Sequence, residues 1–249
     1  MTDAIIFLGP TLPVADARAV LDADYRPPVA QGDVLRAVME GPKAIGIIDG
    51  YFENVPSVWH KEILFALTKG IRVFGAASMG ALRAAELHAF GMEGVGAVFE
   101  AYLDGRLEDD DEVAVTHGPA ELGYPILSEA MVNIRRTLSD ALGAGVIGKP
   151  VRRELESLAK DLCYRDRTYA RLFREAIAAG LPEGEVAAFR RWLPTGRADQ
   201  KREDALAMLR AMGTSLAGVW VPARPAFPFE HTAMWDKVAR PVLQGARPA

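Results

Sequence analysis

The sequence predicts an α/β fold, a small, mostly parallel sheet flanked by helices and followed by an all-helical C-terminal part. Three observations predict it. Short apolar runs, each stopped by Gly, Pro or Asp, recur at Ala4–Leu8, Lys43–Ile48 and Arg72–Gly75, as strands buried on both faces do. Helical spacing fills the intervals between them, giving the strand–helix rhythm of βαβ units. After Pro150 the apolar runs cease, and amphipathic segments of helix length follow one another.

Taken in order, Ala4 to Leu8 (AIIFL) is a buried strand that runs into the turn Gly9-Pro10-Thr11. A second strand near Tyr25 to Val29 is confined to an edge, because Pro27 and Pro28 cannot donate to a ladder. Asp33 to Met39 has helical spacing, with Asp33 as its cap. Lys43 to Ile48 is the second core strand and stops at Asp49-Gly50. Pro56-Ser57 opens a helix through Thr68, closed by Gly70 where left-handed caps sit. Arg72 to Gly75 is the third core strand, and Met79 to Ala89 is a helix ended by Gly91. Right-handed crossovers bring the loops after Leu8, Ile48 and Phe74 to one edge of the sheet, the carboxyl edge.

The second half begins with a helix over Val95–Leu103, an acidic loop Glu108–Glu112 read as solvated, and a short strand at Glu112–Thr116. His117-Gly118-Pro119 is a turn. Ser128 to Gly143 is an amphipathic helix with Ser128 as cap. Val151–Tyr164, Arg167–Ala179, Glu183–Leu193 and Asp199–Met212 read as consecutive helices, and the Pro-rich tail after Trp220 as irregular. The change of texture at Gly148–Pro150 divides the chain into an α/β core, 1–148, and a helical region, 149–249.

Composition narrows the function classes. Half of the 249 residues are hydrophobic and a quarter charged, which is ordinary globular composition. The start carries no basic cluster before its short apolar run, and no apolar span is long enough for a bilayer, so a cytoplasmic protein is expected. A net charge of −4 disfavours non-specific nucleic-acid binding. One cysteine, Cys163, excludes an internal disulfide or a multi-thiolate metal site. The acidic run matches no EF-hand, and neither a dinucleotide fingerprint nor a Walker A sequence is present. No metal and no cofactor are expected.

Chemistry concentrates in Gly75-Ala76-Ala77-Ser78-Met79-Gly80. A strand ends, small residues crowd the turn, and a serine precedes a helix whose N–H groups can stabilise an oxyanion. This is the layout of a nucleophile elbow, with Ala76 in place of the first glycine. Ser78 can equally cap the helix, the commonest use of such a serine, or help hold phosphate. As base, Lys61 starts at the same edge in the first turns of its helix, and helical phase sets it between Leu64 and Phe65. Glu62 and Lys69 fall on a polar stripe, and Lys69 lies at the far end. Lys61 is either partly desolvated, which favours the neutral amine, or snorkels to solvent. Gly9 and Thr11 offer backbone N–H groups at that edge. Asp49 can orient Lys61 or substrate, or hold its own turn; His60 borders the pocket or packs.

The segments Ile5–Leu12 (IIFLGPTL), Gly46–Phe52 (GIIDGYF), Trp59–Ile63 (WHKEI), Gly75–Leu87 (GAASMGALRAAEL) and Asp110–Val115 (DDEVAV) resemble the core of the TfuA-like proteins. The likeness covers about the first 120 to 140 residues and is weaker over the helical remainder. The resemblance implies an accessory protein of YcaO enzymes in peptide backbone thioamidation. It further implies a ThiS-like small sulfur carrier, bearing a C-terminal thiocarboxylate, as the partner that is hydrolysed to release sulfide. The peptide substrate is engaged through YcaO. Carried onto this chain, the family's Ser–Lys pair is Ser78 and Lys61; the local reading adds the backbone N–H groups near Met79, Gly80 and Gly9 as expected oxyanion donors. A non-catalytic adaptor and a nucleotide-binding α/β domain are the rival expectations.

Overall fold

The computed structural model describes residues 3–53 and 55–243. Five parallel strands, β1 (Ala4–Phe7), β2 (Asp24–Arg26), β3 (Ala44–Ile47), β4 (Arg72–Ala76) and β5 (Glu93–Val95), lie in the order β2-β1-β3-β4-β5. The fold class is the one the sequence predicts. β2 is an edge strand, as expected, but it ends at Arg26, before Pro27 and Pro28. β5, the other edge, escaped the sequence reading: Glu93-Gly94-Val95 is three residues long and carries a charge, so it has no apolar run to signal it.

Helices α1 (Val14–Arg18), α2 (Asp33–Met39), α3 (His60–Thr68), α4 (Met79–Leu87) and α5 (Ala97–Leu103) alternate with the strands. Then come α6 (Met131–Gly143), α7 (Lys149–Asp161), α8 (Tyr169–Ala178), α9 (Glu183–Gly196), α10 (Gln200–Ala217) and α11 (Ala233–Leu243). Among the described residues no helix is long and apolar enough to cross a membrane.

By contacts the chain forms two units, Met1–Glu108 with Arg202–Ala249, and Asp109–Lys201. The division expected at 148/149 instead falls inside the second unit. The reason is packing: Met131, Ile134 and Leu138 of α6 share one core with Val151 and Leu155 of α7 and Leu172 of α8. In the first unit α10 returns to the sheet, where Ala205, Met208, Leu209 and Met212 pack with Ile6, Leu8 and Phe74. Gly46 makes room for it, since a Cβ there would stand 2.9 Å from the Met212 sulfur.

The tail after Trp220 is irregular only as far as α11. This helix buries Trp235, whose ring meets Phe65 of α3 at 5.3 Å and Phe229 at 5.1 Å. Burying a side chain of that size stabilises by about 2–3 kcal/mol, which explains why a Pro-rich tail holds a fixed path.

In the second unit the stretch read as a strand at Glu112–Thr116 is not one. Asp110–Glu112 is a single 3-10 turn, followed by a bridge between His117 and Ile126. The acidic run is solvated only at its start: Glu108, Asp109 and Asp110 are exposed, while Asp111 and Glu112 turn inward. Glu112 is buried under a two-pronged Arg135 contact, and Asp111 meets Lys160 and the wholly buried Arg167. Ser128 does not cap α6; its Oγ accepts the Thr116 N–H at 2.8 Å, and the helix starts at Met131.

Candidate active site

Where β4 meets α4 the backbone turns within three residues. The Ser78 N–H closes on the Ala76 carbonyl at 2.7 Å, and Ala77 between them takes φ +66°. A three-residue turn with positive φ at a non-glycine centre is rare and strained, at a cost of about 1–3 kcal/mol. Ser78 follows at φ −126°, ψ −125° and is 3% exposed. Its side chain makes no capping hydrogen bond, so the commonest use of a serine at this position is not the one observed.

Two glycines bring the helix this close. A Cβ on Gly80 would lie 1.7 Å from the Ile47 carbonyl oxygen, and one on Gly75 would lie 2.2 Å from the Gly80 carbonyl oxygen. Strand and helix backbones are therefore in direct contact at this turn. The Gly80 N–H donates to Ile48 O at 3.3 Å, while the Ala81 and Leu82 N–H groups share the Ser78 carbonyl. Among the described residues the Met79 N–H has no acceptor. The expectation of Gly80 as an oxyanion donor is corrected accordingly, and Met79 is the free amide of the helix mouth.

The Gly9 and Thr11 expectations are corrected by Asp49. Its buried carboxylate accepts the Gly9 N–H at 2.9 Å, the Thr11 N–H at 3.1 Å and the Thr11 hydroxyl at 2.6 Å. The donors that looked available in the sequence are spent inside the protein. Asp49 holds the β1 loop to the end of β3, rather than its own turn or Lys61. A Cβ on Gly50, the next residue, would lie 2.7 Å from Met79 Cγ, so this clasp adjoins the serine turn.

His60 and Lys61 lie elsewhere on the surface of the same unit. His60 Nε2 is 2.7 Å from the Glu86 carboxylate, which also accepts Arg83 Nη1 at 2.7 Å. Burial pushes the Glu86 carboxyl up, but the His60 hydrogen bond and the Arg83 charge outweigh it and hold the group below its usual range. Glu86 is eight residues past Ser78 on α4, about 12 Å along the axis at 1.5 Å per residue. The start of α3 therefore sits beside the third turn of α4. Lys61, half-buried, gives its Nζ to Thr232 Oγ1 at 3.2 Å and lies 5.6 Å from the centre of the Phe229 ring. Among the described residues no hydrogen bond joins Lys61 to Ser78.

Glu62 departs from its expected polar stripe. It is fully buried and accepts the N–H groups of Gly32, Leu35 and Trp59, two of which open α2. Burial outweighs these hydrogen bonds and raises its carboxyl above the ordinary value. A glutamate three positions after the residue that precedes a helix was the available signal. Among the described residues no group of acids, histidines or cysteines could hold a metal ion.

The fold and this turn define a class: an open parallel-sheet α/β protein with a buried, uncapping serine at the carboxyl edge, where such sheets carry their ligands. The model of the TfuA-like protein family matches residues 49–168, and over that segment the chain is similar to the TfuA-like proteins. The match contains Asp49, Lys61 and Ser78 and begins after the Ile5–Leu12 segment. No curated protein matches the chain. The family is associated with YcaO proteins, and the match supports an accessory role in YcaO-dependent thioamidation.

Proposed function

We propose that this protein hydrolyses a thiocarboxylated ThiS-like sulfur carrier, delivers sulfide to YcaO and assists YcaO with its peptide substrate, with Ser78 as nucleophile and Lys61 as base. The observation that carries the reading is the serine turn. Strained backbone, a hydroxyl not used for capping and an unpaired Met79 amide stand together at a helix mouth. In the reaction a neutral Lys61 amine takes the Ser78 proton, and Oγ bonds to the thiocarboxylate carbon. The Met79 N–H receives the oxyanion. The C–S bond breaks, hydrosulfide leaves, and water cleaves the acyl-serine ester to a carboxylate. The net change is thiocarboxylate plus water to carboxylate plus hydrogen sulfide. Proton transfer requires the Lys61 ammonium to lose its proton and leave Thr232 for Ser78.

That requirement favours a second reading, a non-catalytic adaptor that binds YcaO and a carrier or peptide, in which Lys61 serves the tail. The nucleotide-binding alternative has less support, because Asp49 already occupies the Gly9 and Thr11 amides. Sulfide release from a thiocarboxylated carrier, with YcaO present, separates the readings. Ser78→Ala and Lys61→Ala should each reduce release at least about a hundredfold while remaining folded. Unchanged release in folded variants would overturn the Ser–Lys mechanism. No release by the parent protein would leave the adaptor.

A further inference from the structure

In the helical unit α8 and α9 enclose a groove of about 490 Å³, lined by Ala170, Phe173 and Ile177 and flanked by Arg174 and Arg190. Its floor is apolar. Phe173 is buried and Ile177 beside it is 58% exposed, so the groove presents apolar surface to solvent. The cations are as informative. Arg171 on the same helix is neutralised by Glu175 at 2.6 Å, and Arg167 just before it is buried against Asp111. Arg174 and Arg190 are both exposed, and among the described residues neither has a carboxylate partner or a ring beneath it. Two unpaired guanidinium groups, one on each helix, therefore border an apolar trough.

We propose that this groove docks an acidic segment of a partner protein: an apolar side chain set over Phe173 and Ile177, with carboxylates toward Arg174 and Arg190. Charge complementarity selects that occupant. A basic segment would be repelled from both sides. An uncharged apolar one would gain the floor but leave the forked guanidinium donors, suited to carboxylates, unused. The inference is independent of the Ser78 chemistry, since it concerns partner capture through a surface that includes no residue of the candidate active site.

The test titrates the ¹⁵N-labelled full chain with two soluble model peptides. Both carry leucines at helical spacing, one flanked by glutamates and the other by lysines. The acidic peptide should shift amide resonances of residues 170–190, and the basic peptide should not. Arg174→Gln with Arg190→Gln should weaken the acidic peptide about two- to thirtyfold, the sum of two exposed ion pairs, and added salt should weaken it in the parent protein. Ile177→Glu, at an exposed position that leaves the fold intact, should abolish the shifts. Equal binding of both peptides, shifts centred elsewhere, or no shift at millimolar acidic peptide would overturn the proposal.

Discussion

Thr11 donates its hydroxyl to the Asp49 carboxylate at 2.6 Å, and the same carboxylate takes the amides of Gly9 and Thr11. Three donors from the loop after β1 are thus tied to one side chain at the end of β3. Asp49→Ala leaves all three without an acceptor in a buried place. Hydrogen bonds to a charged group contribute about 1.5–3 kcal/mol each, with relaxation recovering part of the loss. We expect a destabilisation of about 3 kcal/mol, read as a lower urea midpoint. An unchanged midpoint would show that the clasp contributes little.

Gly80 sets the distance between α4 and β3. Gly80→Ala forces a methyl to within 1.7 Å of the Ile47 carbonyl unless the helix shifts. Since the obstacle is backbone rather than a flexible side chain, the expected loss is about 3 kcal/mol or more, at the upper end of overpacking. The shift would also carry Ser78 and the Met79 amide with it. Thermal unfolding should separate this variant from Ser78→Ala, which removes one oxygen that caps nothing and should melt within a few degrees of the parent. Equal melting of Gly80→Ala and the parent would mean that the helix moves freely.

Apolar runs such as Ala4–Leu8 and Lys43–Ile48 made three strands legible, because burial on both faces demands continuous hydrophobicity. β5 was not, since pairing rather than apolar content forms it. The serine turn was legible from its small residues, but its strain lies in φ at Ala77, which no residue type announces. Sequence offered Gly9 and Thr11 as free donors, and only long-range geometry shows Asp49, forty residues from Gly9, consuming them. The same limit applies to Lys61: helical phase gave its face, while its contacts with Thr232 and Phe229 come from 171 and 168 positions away, beyond any local pattern.

Arg167 is wholly buried and satisfies the carbonyls of Ala159, Asp111 and Leu162 as well as the Asp111 carboxylate. Arg167→Met should destabilise the helical unit by about 3–5 kcal/mol, the usual result of removing one partner from a buried charge network. For Asp111 partial burial pushes the carboxyl up, but hydrogen bonds from Lys160 and Arg167 outweigh it and hold the group below the usual aspartate range. A depressed acid stabilises the fold above its unfolded value, and the contribution is lost as pH falls through the folded one. Asp111→Asn should therefore cost stability at neutral pH and converge on the parent once pH falls below the folded carboxyl's depressed value, an acid-denaturation comparison that parallel curves would contradict.

Glu62 should act in the opposite sense. Its folded carboxyl lies above the ordinary value of an unfolded glutamate because burial disfavours the charge more than the Gly32, Leu35 and Trp59 amides favour it. Between those two values the folded state binds more protons than the unfolded state, so stability falls as pH rises through the window. Glu62→Gln removes this titration. Its amide oxygen can keep the Gly32 and Trp59 donors, which both point at one carboxylate oxygen, but its NH₂ faces the Leu35 N–H. The variant should lose about 1–2 kcal/mol at low pH, where the parent carboxyl is protonated folded and unfolded, and a smaller amount once pH has risen past the folded value. Glu62→Ala leaves all three amides unpaired and should lose more than Glu62→Gln at both pH values. The decisive measurement is the parent-minus-Gln stability difference by urea unfolding across pH 4 to 7. A difference that grows with pH would mean that the carboxylate is stabilised in its charged form, and that the amides, not burial, govern Glu62.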